Sequence, residues 1–124
     1  MIKRLPDSEF EVMEVIWAHP SPLPLTTLQI MNHMKPGRTI KLQTLLTMLL
    51  RLTEKGFLAS ERIGRERSYT PIVSKPAYMQ VETEAFLARH NISSLSGLVE
   101  TFYEDRDIST DDMKELYDRL DQKR

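Results

Sequence analysis

Apolar residues at helical spacing predict a first helix near the start of the chain. Ser8 and Glu11 have the spacing of a capping box, in which each side chain satisfies a free backbone N–H group at a helix start. The apolar face that follows carries Phe10, Met13, Ile16 and Trp17. The proline-rich segment "PSPLPL" ends this helix, because proline cannot donate a backbone hydrogen bond.

A second, short helix is predicted from another capping box, formed by Thr26 and Gln29. Leu25 and Ile30 stand at the positions of a hydrophobic staple, where two apolar side chains pack across a helix start. The dipeptide at positions 36–37, Pro-Gly, is expected to end this helix.

The segment "KLQTLLTMLLRLTEKG" predicts a third, longer helix with two different faces. At 100° per residue, one side carries Leu42, Leu45, Leu46, Leu49 and Leu52. The other side carries Lys41, Thr44, Thr47, Met48, Arg51 and Lys55, and we expect it to point outward. Gly56 ends the helix, since glycine readily takes the left-handed conformation of a helix C-terminus.

After the third helix the pattern shifts from helical spacing to two short strands. The segment "FLASERIGRERSYTPIV" has two runs of strand-forming residues around Gly64 and Arg65, which predicts a hairpin. Three helices followed by a hairpin with basic residues predict a winged helix-turn-helix domain over residues 1–75, in a protein that is mainly α.

Residues 76–124 predict three amphipathic helices. Pro76 opens the first, which runs to about His90, and Asn91 breaks it; Ser109 and Asp112 form a capping box for the last. So few residues cannot hide three apolar faces, so we expect a second copy of the segment to cover them in a symmetric homodimer. The dimerisation residues are predicted to be Tyr78, Phe86, Leu98, Phe102, Met113, Leu116, Tyr117 and Leu120. Alternatively, these helices fold back on the N-terminal domain.

The composition is that of a globular protein, with 40% hydrophobic and 28% charged residues among 124. No stretch approaches the roughly 18 apolar residues of a transmembrane helix, and the N-terminus turns acidic before a signal peptide develops, so we expect a cytoplasmic protein without membrane contact. Cysteine is absent, which excludes disulfides and thiolate chemistry.

Charge is sorted along the chain. Residues 1–75 hold eleven Lys or Arg and seven Asp or Glu, a net +4, whereas residues 76–124 hold six and eleven, a net −5. Between Lys35 and Arg67 there are eight basic and three acidic residues. A basic patch in a neutral protein indicates a polyanion partner, although a basic face can also be merely solvated.

The outward strip of the third helix has the spacing of a DNA-reading surface. Thr44, Thr47 and Arg51 lie at i, i+3 and i+7, where hydrogen-bonding groups from successive turns meet base edges in a major groove, and Met48 could contact a thymine methyl group. The hairpin carries the wing arginines Arg62, Arg65 and Arg67, which are suited to phosphate. Alternatively, the strip is only a solvated helix face.

We find no convergent set of catalytic groups. His19, His33 and His90 stand apart in the sequence without metal-ligand spacing, and a phosphate-binding glycine loop is missing. The sequence therefore predicts neither an enzyme nor a cofactor.

Three segments, "SEFEVMEVIW", "QTLLTMLLRLTEKGFL" and "GRERSYTP", resemble in order and spacing the penicillinase-repressor and methicillin-resistance-repressor family (BlaI/MecI type). The resemblance covers nearly the whole chain and includes "ELY" near the C-terminus. It implies a homodimeric winged-helix repressor of β-lactamase or related antibiotic-resistance genes, bound to a DNA operator with dyad symmetry. Gln43, Thr44, Thr47 and Arg51 match the family's recognition-helix contacts, and Arg65 matches its wing.

The resemblance also implies a route to induction. Family repressors are cleaved in the dimerisation domain, after a membrane sensor detects β-lactams, before a phenylalanine that corresponds to Phe102. Such a cut would remove the last dimer helix. This chain departs from the family at three positions: Gln43 replaces Lys, Leu46 replaces Gln, and Thr101 replaces the Asn before the cleaved bond.

A different function remains open at this level. Winged helices also serve as protein-interaction modules, and a fold does not fix a function. In that case the basic strip would bind an acidic protein partner and not duplex DNA.

Overall fold

Three helices and a hairpin, then three more helices, follow one another in the described part of the chain. The computed structural model describes residues 2–19, 24–34, 40–90, 95–104 and 108–123. The helices are α1 (Asp7–Ala18), α2 (Thr27–Asn32), α3 (Leu42–Glu54), α4 (Lys75–Arg89), α5 (Leu95–Glu104) and α6 (Thr110–Gln122). The strands are β1 (Leu25–Thr26), β2 (Leu58–Ile63) and β3 (Glu66–Pro71). The predicted breaks at the Pro36–Gly37 dipeptide and at Asn91 lie outside the described residues.

Helix α1 begins two residues earlier than the sequence predicts. Pro6 takes the N-cap position with φ −58° and ψ 153°, and no described side chain caps the helix. Ser8 lies inside the first turn, so the predicted capping box with Glu11 is wrong. The fixed φ of proline suits a helix start, and Asp7 adds a negative charge to the positive end of the helix dipole.

Helix α2 begins at the predicted capping box, which is confirmed. Gln29 N–H donates to Thr26 Oγ1 at 3.2 Å, and Thr26 N–H donates to Gln29 Oε1 at 2.9 Å. Leu25 and Ile30 are buried on either side of this cap. Leu25 and Thr26 also form β1, which pairs with β3 and completes an antiparallel sheet of order β1-β3-β2. The sequence did not predict β1, because two residues are too few to show strand alternation.

The predicted third helix and hairpin are confirmed. Gly56, with φ 83°, follows α3, and Gly64, with φ 65°, lies in the turn between β2 and β3. Both glycines adopt the left-handed backbone that other residues avoid. The antiparallel register pairs Ser60 with Tyr69 and Arg62 with Arg67.

The hydrophobic core of the first unit forms between α1, α2, α3 and the sheet. It consists of Leu5, Val12, Met13, Ile16, Leu25, Ile30, Leu45, Leu49, Leu52, Phe57, Leu58, Tyr69 and Tyr78. The Trp17 indole N–H donates to the Val73 carbonyl at 2.9 Å, which ties the end of α1 to the residues after the sheet.

Tyr78 belongs to this core, which moves the predicted domain boundary. The structure divides into two units at Thr83 and Glu84, eight residues after the predicted boundary at residue 75. The Tyr78 side chain is fully buried and accepts a hydrogen bond from the Leu5 N–H at 2.8 Å. The prediction of Tyr78 as a dimerisation residue is therefore wrong, because its ring is buried in the hydrophobic core of the first unit.

The second unit, Glu84–Arg124, contains the end of α4, α5 and α6. The predicted capping box at the start of α6 is confirmed: Asp112 N–H donates to Ser109 Oγ at 3.1 Å, and Ser109 N–H donates to Asp112 Oδ2 at 2.9 Å. These hydrogen bonds hold the pKa of Asp112 below its ordinary value of 3.8. No described residue of α6 is buried within the chain.

Candidate nucleic-acid interface

Helix α3 is anchored by its leucine face, which leaves the rest of the helix available for contacts. Leu45, Leu49 and Leu52 are fully buried. Two leucines predicted for the same face are not: Leu42 is 45% exposed, and Leu46 is half-buried. They lie at the edge of the buried face, where the core no longer covers the helix.

An ion pair between a partly exposed lysine and a buried glutamate joins the C-terminal end of α3 to α1. Lys55 Nζ lies 2.6 Å from Glu9 Oε1, and the Glu9 side chain is almost fully buried. A buried carboxylate needs such a partner. Lys55 was predicted to face outward with the polar strip; the residue is exposed, and its ammonium group is paired with Glu9.

The polar strip of α3 is present on the surface of the first unit. Lys41, Gln43, Thr44 and Arg51 are exposed. Thr47 is half-buried, and its hydroxyl donates to the Gln43 carbonyl at 3.0 Å. Thr47 can therefore only accept a further hydrogen bond through Oγ1, while Thr44, Gln43 and Arg51 can donate.

Met48 does not belong to this strip. Its side chain is half-buried and packs against the hydrophobic core. Because Met48 stands beside Leu49 and one turn from Leu45, it lies at the flank of the buried face. The contact between Met48 and DNA stays a prediction.

The wing brings three arginines close together. Arg62 and Arg67 are directly opposite each other in the β2–β3 register, and Arg65 is exposed in the turn. Arg67 Nη1 donates to Ser60 Oγ at 3.0 Å, which orients its guanidinium group. Like charges directly across a strand pair are destabilising, so this arrangement favours an anion that neutralises both.

A groove of about 450 Å³ lies between the wing and the helices. Its lining combines apolar and basic side chains: Thr26, Thr27, Leu28, Leu42, Leu46, Arg62, Arg65, Glu66 and Arg67. Leu28 of α2 is 55% exposed. One signal for this groove was present in the sequence, since Leu42 and Leu46 stand one turn apart at the edge of the leucine face of α3.

The three histidines lie at helix ends, and two that stand apart in the sequence contact each other. The ring centroids of His19 and His33 are 4.8 Å apart, at the ends of α1 and α2. His33 Nδ1 donates to the Gln29 carbonyl at 2.7 Å. His90 packs against Phe86. Among the described residues, no group of three His, Asp or Glu side chains is arranged to hold a metal ion.

The predicted dimerisation residues of the second unit remain largely uncovered within one chain. Leu98 and Met113 are half-buried. The others are exposed: Phe86, Phe102, Leu116, Tyr117 and Leu120. Tyr103, which was not predicted, is also exposed. At the predicted cleavage site, Thr101 is exposed on α5 and its hydroxyl donates to the Gly97 carbonyl at 3.0 Å.

Within the described ranges, none of the helices is long and apolar enough to cross a membrane.

Known proteins share both the sequence and the fold. The chain matches the penicillinase repressor family over residues 5–122. It is 35% identical to the penicillinase repressor of Bacillus licheniformis across 98% of this chain and 92% of that protein. It is 25% identical to the methicillin resistance regulatory protein MecI of Mammaliicoccus sciuri, across 94% of this chain and 92% of that protein.

Two solved structures align with 63% of this chain and 92% of their own chains. One is the solution structure of the DNA-binding domain of the repressor BlaI, with a TM-score of 0.53 and 36% identity. The other is the monomeric form of Bacillus licheniformis BlaI in complex with the blaP half-operator, with a TM-score of 0.50 and 37% identity. The family match covers almost the whole sequence, and the chain therefore belongs to the penicillinase repressor family of winged-helix regulators.

Proposed function

We propose that this protein is a transcriptional repressor that binds a DNA operator with dyad symmetry as a homodimer, with α3 in the major groove and the wing against the backbone. The observation that carries the proposal is the exposed polar strip of α3, on the same helix whose Leu42 and Leu46 line a groove with the three wing arginines. A BlaI DNA-binding domain aligns with 63% of this chain. In this proposal the protein acts by binding DNA and not by catalysis. It acts in the cytoplasm, where bacterial DNA lies.

Each part of this surface has a distinct role in the proposal. Gln43, Thr44, Thr47 and Arg51 reach base edges, because they occupy successive turns of an exposed helix face. Lys41 and the wing arginines bind phosphates, which positions the helix without specifying the sequence. Since Arg62 and Arg67 repel each other across the strand pair, a phosphate between them removes an unfavourable interaction.

Dimerisation is proposed through the second unit. Its helices carry an exposed apolar row, Leu116, Tyr117 and Leu120 on α6, together with Phe86 and Phe102. A two-fold axis brings the same apolar face of two chains together and joins two DNA-binding domains, so that both halves of an operator are held by one particle.

The related proteins support the identity of the controlled genes. A penicillinase repressor and a methicillin resistance regulator are relatives of this chain, and we propose control of β-lactamase or related resistance genes. Release by cleavage of the Thr101–Phe102 bond by a sensor-triggered protease is part of this proposal. Because that bond lies within helix α5, cleavage requires local unwinding of α5 to expose an extended backbone.

Selection of bound sequences from random duplexes, followed by titration at several salt concentrations, tests the proposal. We expect a palindromic site, binding that weakens steeply with salt, and a changed site preference for Thr44→Ala, Thr47→Ala and Arg51→Ala. Thr83→Ala is the matched control, because Thr83 is an exposed helix threonine with the same backbone hydrogen bond, at 2.8 Å to Met79. Equal affinity for all duplexes would favour the protein-interaction alternative.

A further inference from the structure

A row of leucines flanks the polar strip of α3. Leu42, Leu46 and Leu50 follow one another at i, i+4 and i+8 and form what we call the leucine ridge. Leu42 is 45% exposed, Leu50 is 58% exposed, and Leu46 is half-buried. Aliphatic surface in water is unfavourable in proportion to its area, so an exposed row of this kind marks a contact surface.

The surroundings of the ridge indicate the chemistry of its partner. Leu42 and Leu46 line the groove that also holds Arg62, Arg65 and Arg67. Glu66 also lines this groove, so the charged lining side chains leave a net positive charge. Leucines beside a net positive charge fit a partner in which an apolar group projects beside anionic groups. In a DNA major groove, the thymine 5-methyl group is the apolar feature among the base edges, and it lies between two phosphate backbones.

The ridge runs next to the polar strip and diverges from it towards Leu42. At 100° per residue, Leu50 lies about 20° around the helix from Gln43 and about 60° from Thr47, whereas Leu46 lies about 60° from Gln43 and about 100° from Thr47. A helix seated in a major groove presents both flanks to base pairs, so one flank can donate and accept hydrogen bonds while the other meets methyl groups. Met48, the side chain that the sequence suggested for this contact, is half-buried and packs against the core.

Resting on the proposed function, we propose that the leucine ridge contacts thymine 5-methyl groups and thereby selects T·A pairs on one side of the recognition helix. Leu46 and Leu50 make these contacts, and Leu42 covers the entry to the groove. The ridge thus contributes to sequence preference through apolar contact, in addition to the hydrogen bonds of the strip.

Replacing single thymines by deoxyuracil in the selected site tests this directly, because the change removes the methyl group and keeps every hydrogen bond. We expect wild-type binding to weaken about fourfold at one or more positions, from the transfer free energy of one methyl-sized group. Leu46→Ala or Leu50→Ala should abolish the response at a particular position, whereas Thr44→Ala should keep it. Ile72→Ala is the control, since Ile72 is 62% exposed in the same unit but outside the groove.

Three results would overturn the proposal. If uracil substitutions leave the affinity unchanged in a site that the protein still selects, the protein does not contact the methyl groups, while the proposed function stands. A uracil response that every ridge variant retains would assign the methyl contact to other residues. Ridge variants that change the sedimentation of the protein and not its uracil response would place the ridge against a second copy. Loss of all site selection by the wild type would instead contradict the proposed function itself.

Discussion

Tyr78→Phe removes one oxygen atom from the centre of the first unit and should destabilise it measurably. The Tyr78 ring contacts three aromatic rings, with centroids 5.6 Å from Phe10, 5.8 Å from Trp17 and 5.6 Å from Phe57. Its hydroxyl donates to Glu82 Oε1 and accepts from the Leu5 N–H at 2.8 Å. Phenylalanine keeps the ring contacts and loses both hydrogen bonds.

The expected loss of stability follows from the two groups that lose their hydrogen bond to the Tyr78 hydroxyl. An unpaired buried N–H costs about 1–3 kcal/mol, and Leu5 would have no acceptor. Glu82 loses less, because its side chain is 27% exposed and Arg4 Nε remains 3.1 Å away. We expect about 2 kcal/mol in total, which lowers the urea midpoint by about 1–2 M. Tyr78→Ala should cost more, about 3–5 kcal/mol, because it also leaves a cavity.

The assay can observe the first unit alone. Trp17 is the single tryptophan of the chain, and it packs beside Tyr78, so its fluorescence during urea titration reports this unit. Tyr117→Phe is the matched control, because Tyr117 is 67% exposed. An unchanged midpoint for Tyr78→Phe, or an equal loss for Tyr117→Phe, would refute the assignment of Tyr78 to the core.

The same residue gives a pH dependence. Burial, and then the hydrogen bond to Glu82, raises the pKa of Tyr78 to about 12 from 10.0. The pKa of Tyr78 is therefore higher in the folded protein than in the unfolded protein. The contribution of its neutral hydroxyl to the stability of the first unit is complete below pH 10 and is lost as the pH rises from about 10 to 12. The Phe variant should lack this component of the alkaline loss.

Further predictions concern the wing, the proposed dimer and the start of α6. Arg65→Ala should reduce the slope of log affinity against log salt concentration by about 0.9 for each half-site, measured by fluorescence anisotropy of labelled DNA. The control Arg4→Ala changes an arginine already paired with Glu82 and should leave this slope unchanged; an unchanged slope for Arg65→Ala would remove Arg65 from the interface. Leu116→Asp or Leu120→Asp should place a charge in the proposed dimer contact, so that sedimentation shows monomers and operator affinity falls; variants that stay dimeric would locate the interface elsewhere. The pKa of Asp112 is lowered by hydrogen bonds from Ser109, so the helicity that α6 keeps above pH 3.8 should be lost as the pH falls through the lower pKa of the folded protein. Circular dichroism of Asp112→Asn should lack this loss at acid pH, and a profile identical to the wild type would contradict the capping role of Asp112.

The sequence by itself determined the features that depend on neighbours a few residues apart. The caps at Thr26 and Ser109 involve partners three residues away, and the backbone at Gly56 and Gly64 depends on the absence of a side chain. The polar strip of α3 could be predicted for the same reason, because helical spacing alone puts Thr44 and Arg51 outside the leucine face. The order and type of the six described helices and of the β2–β3 hairpin followed from these local rules, whereas β1 did not.

Only the tertiary structure decided which side chains are covered. Helical spacing gives the direction of a side chain but does not specify what packs against it. Leu42 was therefore placed on the buried face although it is 45% exposed, and Met48 was placed on the outward face although it packs against the core. Tyr78 enters the core because residues distant in sequence, Leu5 among them, supply its partners. The pairing of β1 with β3 and of Glu9 with Lys55 likewise joins distant segments. Such contacts depend on the folded arrangement of the whole unit, which no local pattern contains.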